Sequence, residues 1–392
     1  SNIGEFYLFQ RFDWKSHFDI KQKALLIFEE LGIKSGIGEC LARLSQHYWL
    51  KDGELGIALE YAEKALAAFE EVGDKKLLSW PHNNIGWIYQ EKGEYATALA
   101  YFEKALEIAE EAGNKRDIIQ SLWSITQIQQ ANGDDSAAMD NYKRCLELYE
   151  ELGLWDLYGP LVLSWIYHQL ILLALDSQAV DQAQAYFQQF SELKERTHSV
   201  WIDQRYLTAK AQLLKRSTRI KDKAKAQEIF QQIIDDESAY SALGIGKVPA
   251  MLNLCELLLF ELRASSDAVT EADPVFQEAK ALITNLSSIA KAMPSYSLLI
   301  DSLILQSKFA LLEGDLSSAM EFLDQAGITA EEKKLTGYAQ RVAEEQQQLE
   351  SQFDTWQKLI RSNAPFQARL EQARMDDYLA KALKMAQTRQ TL

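Results

Sequence analysis

Cysteine is scarce in this chain of 392 residues, occurring only at positions 40, 145 and 255. Three cysteines make no disulfide framework, so a reducing, cytoplasmic setting is expected. Proline (6) and glycine (18) are also few, which argues against an all-β chain with many tight turns. Positive charge is in short supply: 41 Lys and Arg stand against 57 Asp and Glu, a formal net charge of −16. Such a surface repels phosphate backbones, so nucleic acid is not an expected partner. No stretch of 18 residues is apolar throughout, and the first residues lack a signal-peptide pattern. Neither a membrane span nor a membrane partner is expected. What is present, 47% hydrophobic and 25% charged residues, is the composition of a folded soluble protein.

The sequence repeats itself. Ile3-Gly4-Glu5-Phe6-Tyr7, Leu44-Ser45-Gln46-His47-Tyr48, Ile85-Gly86-Trp87-Ile88-Tyr89 and Ile125-Thr126-Gln127-Ile128-Gln129 recur at steps of 41, 41 and 40. Ala24, Ala65, Ala105 and Cys145 hold the same step, each followed by Leu. So do Gly32, Gly73, Gly113 and Gly153, and so do Ala58, Ala98 and Ala138, each shortly after Gly53, Gly93 and Gly133.

Each unit reads as two helices. Over residues 94–112, Ala98, Tyr101, Phe102, Ala105, Leu106 and Ala109 form one stripe at i, i+3, i+4, i+7 spacing, and Gly113 ends it. Ile85, Ile88 and Tyr89 share a face of the preceding helix, and Gly93 lies in the turn between. Small residues at Gly86 and Ala98 let the two backbones approach, and Tyr89 and Phe102 fill the remaining space. One such pair cannot bury its apolar face alone; stacked pairs can.

The order apolar, small, aromatic on helix A, then Ala, aromatic, Ala on helix B is carried by Ile85, Gly86, Tyr89, Ala98, Phe102 and Ala105. It resembles the tetratricopeptide repeat in a 40-residue form, with the unit at Thr126 and Gln129 departing from it. The resemblance implies an all-α fold, a right-handed α-solenoid of stacked antiparallel helix pairs. Residues 1–153 read as four units, the first with a short helix A. Residues 154–332 read as degenerate pairs, at about 199–217 with 221–236, 247–264 with 272–292, and 295–313 with 315–330. Residues 333–392 read as long capping helices. Pro249, Pro274, Pro294 and Pro365 fall where helices should begin. The run Thr208 to Lys225 and the stretch Leu252 to Leu258 make the whole chain similar to prokaryotic, notably archaeal, multi-repeat tetratricopeptide proteins. Only two residues precede Ile3, so the array is expected to extend upstream, with self-association possible through an open N-terminal end.

Catalytic motifs do not stand out. The five histidines (17, 47, 82, 168, 198) lack metal-ligand spacing, so no metal or cofactor is expected. The cysteines fall in apolar helical stretches, as small buried groups. Leu243-Gly244-Ile245-Gly246-Lys247 lacks the spacing of a phosphate loop. The chain is not expected to be an enzyme.

In tetratricopeptide folds the A helices line a concave groove. The resemblance places in that groove Asn2 and Glu5, with Leu8 and Phe9; Arg43, Gln46 and Trp49, with Ala42 and Leu50; Asn83, Asn84, Trp87 and Gln90, with Glu91; and Trp123, Gln127 and Gln130, with Ser124 and Ala131. Amides can hydrogen-bond a peptide backbone, and tryptophans supply wide apolar contact. Arg43 is the lone basic residue of the set, which disfavours clamping of a C-terminal carboxylate. An extended or helical peptide with apolar anchors fits better. Residues 51–153 hold 20 acidic and 10 basic residues, and Glu70-Glu71, Glu110-Glu111 and Glu150-Glu151 recur as a solvated edge or a field for a basic partner. The expected function is a protein-interaction scaffold holding a peptide or partner protein. The rival expectation is a regulatory sensor whose repeats bind a small peptide or ligand and control an effector domain outside this chain.

Overall fold

The computed structural model describes residues 14–49, 54–152, 159–197, 199–236, 246–265, 270–292 and 295–389. Among them are nineteen α-helices and no strand. Two compact units divide between Leu173 and Ala174.

Unit 1 holds α1 (Trp14–Leu31), α2 (Lys34–His47), α3 (Leu55–Val72), α4 (Ser79–Glu91), α5 (Tyr95–Glu111), α6 (Lys115–Asn132) and α7 (Asp135–Leu152). Helix α8 (Gly159–Asp176) runs through the division. Consecutive helices of unit 1 pack on each other, α2 with α3, α4 with α5, α6 with α7, and each pair on the next. Thus α2, α4 and α6 are A helices and α3, α5 and α7 are B helices; α1 is the B helix of the first unit. The expected helix A at residues 3–9 lies outside the described residues, as do Asn2, Glu5, Leu8 and Phe9.

Each repeat column has a single environment. The alanines in the fourth position of α3, α5 and α7 (Ala58, Ala98, Ala138) are 0% exposed. Ala65, Ala105 and Cys145, about two turns further on, are also buried, as are Leu44, Ile85 and Ile125. The small column is small because helix B leaves no room. A Cβ built on Gly86 would stand 2.4 Å from the Phe102 ring of α5. Ser45 occupies that column in α2 and donates its hydroxyl to the Ala58 carbonyl over 2.7 Å. Thr126 occupies it in α6 and donates to the Leu122 carbonyl over 2.6 Å. Burying Phe102 alone stabilises the pair by about 1.5–3 kcal/mol. Gly93 and Gly113 end helices at φ 78° and 64°, the left-handed region where a side chain costs energy.

Unit 2 holds α9 (Val180–Glu195), α10 (Val200–Lys215), α11 (Ile220–Asp235), α12 (Lys247–Ala264), α13 (Pro274–Ala292), α14 (Tyr296–Glu313), α15 (Leu316–Glu332), α16 (Thr336–Ser351), α17 (Phe353–Arg361), α18 (Phe366–Ala373) and α19 (Met375–Arg389). The three pairs read between 199 and 330 form as read. Ala183 and Ala319 again sit fourth in their helices at 0% exposure. Pro274 opens α13 and Pro365 immediately precedes α18, whereas Pro294 lies outside the described residues. The segment after 333 corrects the reading of long helices. It breaks into four, two of them only 9 and 8 residues long. Two of the three breaks fall at Asn363 and Arg374, which take φ of 49° and 50° without being glycine; the third is at Gln352.

Among the described residues one helix, α8, is long and apolar enough to cross a membrane by length and composition. Its window is 83% buried within the protein, which is the setting of a core helix.

Candidate functional site

Among the described residues, those read as groove-lining share one face of the A helices. The structure uses most of them differently from the reading, because neighbouring A helices come close enough for these side chains to meet one another. Gln46 Nε2 donates to Asn84 Oδ1 over 3.3 Å, and Asn84 Nδ2 donates to the Ala42 carbonyl over 3.3 Å. Asn83 Nδ2 donates to Ser121 Oγ over 3.1 Å. Trp87 Nε1 donates to Ser124 Oγ over 2.9 Å, and Gln90 Nε2 donates to Gln127 Oε1 over 2.9 Å. Gln130 Nε2 reaches Gln169 Oε1 of α8 at 3.4 Å, while Tyr142 donates to Gln130 Oε1 over 2.9 Å. The result is a polar ladder running from repeat to repeat.

Burial follows from the ladder. Asn83 and Asn84, read as open to a peptide, are 0% and 1% exposed. Trp49, Trp123, Gln127 and Gln130 are buried as well, with Ala42 and Ser124 beside them. For these side chains, free presentation to a ligand is corrected to packing between repeats. A buried amide must find partners, and an amide one helix away serves as well as a peptide would. Arg43, Gln46, Trp87, Gln90, Glu91 and Ala131 remain half-buried and reach the surface. Leu50 lies outside the described residues.

Aromatic contacts stiffen this face. The Trp49 and Trp87 rings stack with centroids 5.7 Å apart and planes 18° from parallel. Trp123 meets Trp165 of α8 at 4.5 Å. The Arg43 guanidinium lies 5.0 Å from the Trp80 ring centroid. At the start of the same helices Ser79 donates to Asp117 over 2.5 Å. Burial raises the Asp117 carboxyl above its ordinary value, and the Ser79 hydroxyl pulls it the other way.

The acidic pairs also have a structural use that the sequence reading missed. Glu71, Glu111 and Glu151, the second member of each pair, accept ion pairs from Lys34, Lys75 and Lys115 at 2.7, 3.8 and 2.8 Å. Lys34 and Lys115 open the A helices of their units, and Lys75 lies in the short 3-10 turn just before α4. The signal was present as a fifth column, Lys34, Lys75 and Lys115, at steps of 41 and 40. Arg144 adds a pair to Glu110 over 2.6 Å. Among the described residues no three His, Cys, Asp or Glu side chains gather as a metal site.

Comparison with known proteins agrees with this geometry. Residues 77–151 match the family described as tetratricopeptide repeat. No curated protein matches the chain in sequence. Among solved structures the chain is similar to aspartyl phosphate phosphatase F from Bacillus subtilis, with 15% identity and a TM-score of 0.56 over 74% of this chain and 71% of that one. It is also similar to the apo form of the quorum sensor NprR from B. thuringiensis, with 15% identity and a TM-score of 0.49 over 82% and 84% of the two chains. At such identity the likeness concerns the fold. The match at 77–151 spans α4 to α7, the third and fourth units. Residues 77–151 therefore match tetratricopeptide repeats, within an all-α fold of packed antiparallel helix pairs.

Proposed function

We propose that this protein is an interaction scaffold without catalysis of its own, and that it holds a peptide or partner protein on the A-helix face of unit 1. Arg43, Gln46, Trp87 and Gln90 are the contact residues. The observation that carries the reading is the Trp49–Trp87 stack within a tetratricopeptide array. Trp49 is buried beneath, Ser124 holds the Trp87 N–H, and the rest of the Trp87 ring reaches the surface. A large apolar side chain held in one orientation loses little entropy on binding and makes a good anchor. The buried ladder serves the same end by fixing the helices that present it. With Arg43 as the basic group, the ligand is bound through apolar anchors and amide hydrogen bonds rather than through a carboxylate clamp. Three free, buried thiols support a reducing compartment, which we take to be the cytoplasm.

The test is capture of partners from the native host with the wild-type chain, Arg43→Glu and Gln90→Ala, followed by titration of each recovered partner. Both substitutions lie at half-buried positions and are expected to leave the fold intact. At least tenfold weaker binding in both variants supports the reading. Unchanged affinity in both would place the contact elsewhere.

A further inference from the structure

Unit 2 ends in a helix that folds back on its own array. The chain reverses at Arg374, a non-glycine residue held at φ 50°. From there α19 lies across α12 and α14, two A-type helices. Its stripe of Met375, Leu379, Ala382 and Ala386 is buried, between 0 and 5% exposed, while Asp376, Asp377, Ala380 and Lys381 face solvent. The spacing i, i+4, i+7, i+11 is that of an amphipathic helix lying in a groove. Polar groups from three A-type helices converge on it. Tyr378 donates its hydroxyl to Glu345 of α16. Lys308 of α14 is 3.0 Å from Glu345 and 4.1 Å from the Tyr378 ring centroid. Arg263 near the end of α12 pairs with Asp376 over 2.6 Å.

The two helices beneath it bury polar residues as well as apolar ones, such as Asn253, Asp301 and Lys308. Each packs on its own B helix and on the preceding one, and α19 adds a further contact to both, beside α18 on α14. Two features keep α19 from being an ordinary core helix. Only two of its four inward stripe residues are larger than alanine. It is also tethered through a left-handed residue, so its seat rests partly on being in the same chain.

We propose that α19 is an exchangeable ligand in cis, and that the α12–α14–α16 face beneath it is a second interaction surface. The partner it fits is an amphipathic helix of another protein with an acidic first turn, a tyrosine one turn in, and a stripe of Met, Leu and Ala. The acidic turn meets Arg263, the tyrosine meets Glu345 and Lys308, and the stripe takes the place of Met375, Leu379, Ala382 and Ala386. The site lies wholly within unit 2 and does not depend on the unit 1 face.

The probe is a fluorescein-labelled peptide with the sequence of residues 375–389, titrated by anisotropy into the full chain. Leu379→Lys in the chain weakens its own α19 and should raise peptide affinity at least tenfold over wild type. A peptide carrying the same substitution should bind neither. Equal binding by the two chains, or no binding by a variant that keeps its helical circular dichroism, would overturn the proposal. Exchange of α19 between two copies, seen as a dimer on size exclusion, would support the exchangeable seat and overturn only the assignment of its partner to another protein. Hydrogen exchange of the wild-type chain decides the matter even where the variant unfolds. Amides of α19 should exchange at least tenfold faster than those of α14, and equal protection would show a fixed core helix.

Discussion

Asn141 donates a hydrogen bond to the side-chain carbonyl of Gln129 over 2.9 Å, at the two positions where the preceding unit stacks Tyr89 on Tyr101 at 5.7 Å and 12°. One unit earlier the same positions stack Tyr48 on Tyr61 at 5.2 Å. The departure of the fourth unit from the aromatic pattern is therefore a paired one. Helix A and helix B changed together, and a ring–ring contact became an amide–amide contact.

That pairing predicts a coupling energy. Gln129→Tyr alone leaves Asn141 without its acceptor, and Asn141→Tyr alone strands the Gln129 carbonyl. The double substitution rebuilds the stack seen at Tyr89 and Tyr101. Denaturant unfolding of the four proteins should give a favourable coupling of about 0.5–1.5 kcal/mol. Additive single effects would mean that the two positions act independently.

Gly86 offers a second test. The Phe102 ring lies 2.4 Å from where its Cβ would be, so Gly86→Leu should overpack the contact and cost about 1–3 kcal/mol or more. Gly56, in the first turn of α3, has nothing within 4 Å of its Cβ position. Gly56→Ala should be neutral or stabilise by up to about 1 kcal/mol, through the reduced freedom of the unfolded chain. Thermal unfolding of both variants checks the contrast, and an unchanged midpoint for Gly86→Leu would mean the helix pair is not packed at that glycine.

The fold was legible wherever glycine, proline or alanine marked a boundary. Gly93 and Gly113 stand at turns because φ is positive there, and Pro274 stands at a helix start because its missing N–H costs nothing there. The breaks at Lys334, Asn363 and Arg374 use the same left-handed geometry without glycine, so the last sixty residues read as fewer, longer helices than form. The A-helix face was legible as a face. Its use was not, because Asn84 and Gln127 have the same chemistry whether they bond a ligand or each other's helices. What separates the two is the distance between neighbouring A helices, which no local pattern in the chain encodes.

The lysine column should matter little to stability. Lys34, Lys75 and Lys115 and their glutamates are all well exposed, and exposed ion pairs contribute about 0–1 kcal/mol. Replacing the three lysines by glutamine is expected to lower the unfolding midpoint only slightly at low salt, and less still at 1 M salt, where screening has already weakened the pairs. If the triple variant lost more than about 3 kcal/mol, the column would be holding the helix ends in register rather than decorating them.

Cys145 takes the place of Ala65 and Ala105 in its column, and it is buried like them. Burial pushes its thiol up from 9.0 to about 12. Two outcomes follow. The native thiol should resist iodoacetamide at pH 8, because the thiolate is the reactive form. Stability should also fall with rising pH. In the unfolded chain the thiol ionises near 9, while the folded chain keeps its proton to about 12. Between those values the unfolded state sheds a proton that the folded state retains, so each pH unit favours unfolding by up to about 1.4 kcal/mol. Cys145→Ala restores the residue used by the neighbouring repeats and removes that titration. Its unfolding free energy should decline less steeply than that of the wild type between pH 9 and pH 11, with the other ionisable groups common to both proteins. Equal slopes would show that the thiol is reached by solvent in the folded chain.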